Sequence, residues 1–108
     1  MFKLLVVLSL IAAIQGQIAG GFTDRPDLLE QSSTRSMIRL AVNDLQAKQN
    51  LLVSPVKVLS VATQVVNGIN YRIVFTARSM GSDSILTCTS KVYQQFTGVQ
   101  SVSSVNCA

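Results

Sequence analysis

Gln64-Val65-Val66-Asn67-Gly68 is the stretch on which the reading of this chain turns. Two valines stand beside an Asn-Gly pair, and runs rich in β-branched residues flank them on both sides. Asn-Gly between such runs signals a hairpin, because both residues tolerate the positive φ that a tight turn demands. Hairpin tips are ordinarily polar, so an apolar pair at the bend suggests a tip that enters an apolar surface. The same valines also look like the last strand residues before a tight turn, and pattern alone leaves both readings open.

Outward from the bend, residues 69–77 alternate. Ile69, Tyr71, Ile73, Phe75 and Ala77 share one face, and Asn70, Arg72, Val74 and Thr76 the other. Residues 51–64 read as the partner strand, bent or edge-lying near Pro55, because proline cannot donate to a ladder. Met80-Gly81-Ser82-Asp83-Ser84 supplies a polar turn, and residues 84–95 form another strand with Leu86, Cys88 and Val92 on one side. Phe96-Thr97-Gly98 breaks it, and residues 99–107 make a last strand. Upstream, Arg25-Pro26-Asp27 opens a helix of about five turns, in which Leu29, Ser33, Ser36, Met37, Leu40, Ala41 and Leu45 recur at three- and four-residue steps as a core-facing stripe. One helix followed by consecutive antiparallel strands predicts an α+β domain, the helix packed across a curved sheet of four to five strands.

Residues 1–16 read as a secretory signal peptide. Lys3 gives an early positive charge, and the almost unbroken apolar run that follows, residues 4–14, is shorter than the roughly twenty residues a bilayer span needs. The cut is placed after Gly16, with Ala13 and Ala19 as alternatives, which leaves residues 17–108 as one domain and predicts an extracellular protein. Two cysteines, Cys88 and Cys107, permit a single intramolecular disulfide, the other readings being free thiols or an intermolecular bridge. Closing that loop would stabilise the fold by about 3 kcal/mol.

The basic residues are scattered, and neither a basic stripe with interleaved aromatics nor a basic amphipathic helix emerges, so nucleic acid and membrane are not expected partners. The chain has no histidine, which excludes Ser-His-Asp and Cys-His catalysis and most zinc sites. Asp24, Asp27 and Glu30 cluster at the expected helix start, where carboxylates complement the helix dipole, and Asp44 and Asp83 are isolated. Gly20-Gly21 lacks the Lys-Ser/Thr of a phosphate loop. No enzyme, metal or cofactor is expected.

Four features in this order resemble the cystatins, inhibitors of papain-like cysteine proteases: Gly20-Gly21 near the mature N-terminus, a single helix, Gln-x-Val-x-Gly as residues 64–68, and a C-terminal hairpin holding Cys88 and Cys107. The resemblance spans essentially the whole mature chain. It implies a cystatin-like fold and a wedge of three elements that fills a protease cleft without being cut. Carried onto this sequence, the wedge comprises an arm at Ile18-Ala19 hinged at Gly20, a first loop of Gln64, Val65, Val66, Asn67 and Gly68, and a second loop at residues 94–98.

The second loop departs from the family pattern, since Gln94-Gln95-Phe96-Thr97-Gly98 stands where a Pro-Trp pair is usual. Phe96 would replace the tryptophan, unless it folds into the core. The family's second, upstream disulfide is absent, and the loop after the helix shows no match to the legumain-inhibiting segment of some relatives. The resemblance implies reversible, competitive inhibition of papain-like proteases, of cathepsin L type or similar, by a monomer. A domain-swapped dimer hinged at residues 64–68, or a non-inhibitory secreted binding module on the same fold, are the alternatives. Val65→Asp and Gly68→Arg are both expected to abolish binding with little loss of folding.

Overall fold

Residues 21–108 are described here from a computed structural model. In chain order the elements are β1 (Thr23–Asp24), a 3-10 turn (Pro26–Leu28), α1 (Ser32–Gln49), β2 (Val53–Val66), β3 (Gly68–Ser79), β4 (Ile85–Gln94) and β5 (Gln100–Cys107). The signal-peptide reading, the Ile18-Ala19 arm and Gly20 fall outside the described residues. The strands make one sheet in the order β1-β2-β3-β4-β5, every neighbouring pair antiparallel. Among the described residues the expected α+β class, a single α-helix on an antiparallel sheet, is what forms.

β3 explains why. Its alternation puts Ile73, Phe75 and Ala77 on the face toward α1, all fully buried, while Arg72, Val74 and Thr76 point away. Register then fixes the neighbours on the same face. Ile73 faces Val61 and Ser90, and Phe75 faces Val58 and Cys88. Met37, Ile38, Ala41 and Leu45 of α1 close this core from above. Fully burying residues of that size is worth about 1.5–3 kcal/mol each, which dominates what any surface pair here contributes.

The buried helix face differs from the expected stripe. Thr34, Met37, Ile38, Ala41 and Leu45 point inward, whereas Ser33 and Ser36 are exposed and Leu40 only half-buried. The phase is set by the larger apolar side chains: Ile38 and Leu45 enter the core at the expense of the serines, as burial energetics require. The start differs too. Arg25-Pro26-Asp27 opens the short 3-10 turn, and α1 begins only at Ser32, with no acidic residue in its first turn. Asp24, Asp27 and Glu30 therefore do not serve the α1 dipole. Asp24 lies in β1, and Asp27 pairs with Arg25. Gln31 gives no side-chain cap, and Thr34 Oγ1 donates to the Leu28 carbonyl at 2.6 Å to tie the turn to the helix. At the other end Asn50 takes the left-handed conformation that asparagine tolerates, and its N–H and that of Leu51 both return to the Leu45 carbonyl.

Pro55 bends β2 as its chemistry demands. Register shifts fall between Pro55 and Lys57 and between Val58 and Ser60, so Val56 and Leu59 are the extra residues of two bulges and stand exposed. β1 pairs only with Ala62 and Thr63, so proline and bulges blunt the rest of that edge against pairing with another chain. At the opposite edge Cys88 and Cys107 are directly paired across β4 and β5 and form the disulfide. Among the described residues no helix is long and apolar enough to cross a membrane.

The cysteines are 19 residues apart, so replacing both by alanine is expected to lower stability by about 3 kcal/mol in the chain-entropy picture, read as a lower urea midpoint with a somewhat steeper slope from the more expanded unfolded chain. Arg25 donates from Nε and Nη2 to both carboxylate oxygens of Asp27, at 3.0 and 2.8 Å. These hydrogen bonds hold the Asp27 carboxyl below the usual carboxylate range and push Arg25 up. A lowered folded-state pKa means that the pair's contribution is present above the unfolded pKa and is lost as pH falls through the folded one. Asp27→Asn should therefore lower Tm slightly at neutral pH, the pair being exposed, and the gap from the parent should close in acid below the ordinary carboxylate range.

Candidate functional site

The bend at residues 64–68 is tighter than a two-residue Asn-Gly turn. Val65 pairs with Ile69 and Val66 with Gly68, leaving Asn67 alone at the apex. Of the Asn-Gly pair, only Gly68 has a positive φ, +118°. A close approach is a second reason for glycine here. A Cβ built on Gly68 would lie 2.5 Å from the Gln94 carbonyl oxygen and 2.7 Å from the Tyr93 hydroxyl. The Tyr93 hydroxyl in turn donates to the Asn67 carbonyl, so the apex of the first loop rests on the end of β4. Asn70 Nδ2 donates to Gln64 Oε1 at 3.0 Å across the base of the same hairpin.

Because β3 and β4 pair from Ile69 and Gln94 onward, the second loop begins beside the first. It lacks a proline, yet two backbone bonds close it, Gln95 N–H to the Val99 carbonyl and Gly98 N–H to the Gln95 carbonyl, both 2.9 Å. Gly98 supplies the positive φ, +92°, and nothing lies within 4 Å of where its Cβ would be. Gln100 Nε2 donates to Gln94 Oε1 at 3.0 Å and ties the loop's base.

At this end the apolar residues face solvent. Val65 is 79% exposed, Phe96 81% and Val66 43%. Phe96 therefore does not fold into the core. Residues 64–71 and 93–102 carry no charge, so the end offers apolar side chains on a scaffold of amide and hydroxyl bonds, and its hydroxyls have no histidine or carboxylate within these ranges to activate them. Binding by shape is the chemistry open to it.

A cystatin-domain family model matches residues 20–103. The chain belongs to the cystatin family. Cystatins are protease inhibitors, and this one is not an enzyme. Its fold matches that of Mialostatin, a gut cystatin from the hard tick Ixodes ricinus, with a TM-score of 0.66 at 20% identity over 82% of this chain and 97% of that one. A salivary cystatin from the soft tick Ornithodoros moubata matches with a TM-score of 0.67, again at 20% identity over 82% and 97% of the two chains. At such identity the likeness is one of fold. No curated protein matches the sequence.

Of the site residues expected from sequence, Gln64, Val65, Val66, Asn67, Gly68 and Phe96 lie in two adjacent loops at one end of the sheet, while Gly20 lies outside the described residues. Tyr93 went unread. Its place in strand alternation shows only an outward side chain, and that it props Asn67 depends on how the hairpins meet. One expectation needs correction, because Gly68 is a packed position and not a free loop glycine. Gly68→Ala is expected to cost roughly 1–3 kcal/mol by forcing a strained φ and displacing the Gln94 carbonyl, and Gly68→Arg more, measured by urea unfolding. Val65→Asp, at an open position, should stay within about 0.5 kcal/mol of the parent.

Proposed function

We propose that this cystatin is a secreted, monomeric, reversible and competitive inhibitor of papain-like cysteine proteases, of cathepsin L type or similar. The observation that carries the reading is the pair of adjacent, uncharged, solvent-facing loop tips, Val65-Val66 and Phe96, held by backbone and side-chain hydrogen bonds. Tips already fixed lose little conformational entropy on docking, so a small apolar edge can bind tightly where the cleft is complementary. Val65 and Val66 would line the cleft walls, Gln64, Asn67 and Gly68 would set their bend, and Phe96 would anchor the other side where relatives use tryptophan. An arm ahead of Gly20 would complete the wedge. The inhibitor forms no bond to the enzyme's catalytic cysteine, so activity returns on dilution. A domain-swapped dimer would open residues 64–68 and lose the edge.

The test is a titration of papain and a cathepsin L-type enzyme against a fluorogenic peptide, with trypsin as control. The inhibitor is the full chain expressed in a secretory host and purified from the medium. Competitive inhibition of the cysteine proteases alone is expected, with N-terminal sequencing placing the cut after residue 16. Val65→Asp and Phe96→Ala should each weaken inhibition by roughly thirtyfold or more, the scale of a central interface anchor, at unchanged unfolding midpoint. Full inhibition by a folded Val65→Asp protein would overturn the loop assignment. Absence of inhibition by folded monomer would replace the reading with a binding module of another kind.

A further inference from the structure

On the sheet face turned away from α1, the Arg72 guanidinium carbon lies 4.7 Å from the centre of the Phe22 ring. Register explains how they meet. Thr23 pairs with Thr63 and Asp24 with Ala62, so the preceding residue, Phe22, runs alongside Gln64, and Arg72 is the β3 partner of Ala62. Phe22 thus reaches diagonally over Ala62, whose single methyl leaves room for the ring. Ala62 is 2% exposed although it takes no part in the core beneath the helix, as a residue roofed from the far side should be. On its other flank Arg72 faces Lys91 of β4 directly, and like charges across a strand pair repel, which favours the guanidinium's turn toward the ring.

We propose that Phe22 and Arg72 form a clamp that fixes the N-terminal segment on β2 and so sets the point from which the inhibitory arm departs, making both residues positioning residues. The inference rests on the inhibitor reading for the arm, but the clamp itself does not. β1 is short, only Thr23 and Asp24, and its burial pattern is exposed throughout, so its own ladder gives little hold. One further backbone bond, Arg25 N–H to the Val61 carbonyl at 2.7 Å, pins the downstream end. At the upstream end Phe22 lies alongside Gln64 by register. There the cation over an aromatic face supplies a local hold, modest at an exposed site.

The test compares the parent with Phe22→Ala, Arg72→Ala, the double variant, and the conservative Phe22→Trp and Arg72→Lys, all as the full chain purified after secretion. Amide exchange at Thr23 and Arg25, the positions whose N–H groups face β2, followed by NMR, should quicken about two- to fivefold in each alanine variant and no further in the double, while β3 and β4 amides stay unchanged and the conservative variants restore protection. Inhibition of papain should weaken by a similar factor with the same non-additivity. Unchanged exchange at Thr23 and Arg25 in both single variants would overturn the clamp. Quickened exchange with unaltered inhibition by all variants would overturn its role in positioning the arm. A parent protein that fails to inhibit would overturn that role together with the inhibitor reading, while exchange still decides the clamp.

Discussion

Phe75 on β3, fully buried under α1, is the interaction about which the molecule is arranged. A strand with period-two side chains presents one apolar row, and a helix laid across that row buries it in a single layer. Val58 and Cys88, the flanking partners of Phe75, continue the row into β2 and β4, and Val92 and Val105 extend it toward β5. The disulfide joins Cys88 of this row to Cys107 of β5, and its 19-residue link steadies the fold by restricting the unfolded chain. The polar ties of the helix, such as Thr34 to Leu28 and Gln49 Nε2 to the Val105 carbonyl at 2.9 Å, refine its placement rather than cause it.

The candidate site grows from the far end of the same strand. β3 opens with Gly68, and that residue's missing side chain lets one hairpin press against the carbonyl at the end of the next strand. Two hairpin tips become one surface at that point. Their valines and phenylalanine then face water, leaving apolar area exposed at the tips. The apolar tips are local; their rigidity comes from Tyr93, Gln94 and Gln100, none of them in the first loop.

The helix shows where reading by pattern reaches its limit. Met37, Ala41 and Leu45 were legible as core because large or small apolar residues at those steps have nowhere else to go. Ser33 and Ser36 were not separable from Thr34 and Ile38, since a stripe about a hundred degrees wide can be rotated by a residue without breaking its periodicity. Only the packing against Phe75 and Val105 fixes the rotation. The proline at residue 26 likewise announced a start, but whether it led into α1 or into a separate turn depended on the Arg25 and Thr34 hydrogen bonds.

What the sequence by itself determined was the α+β order of elements, the place of the hairpin bend and, with only two cysteines, the single intramolecular disulfide open to them. Each depends on residue type or on spacing within one segment. The tertiary structure decided that Gly68 is packed, that Tyr93 and Gln94 support the first loop, that Phe96 faces solvent, and that Phe22 meets Arg72 across an intervening strand. These are meetings between residues as far as 50 positions apart, and their geometry follows from sheet register and strand twist, which no local pattern of side chains encodes.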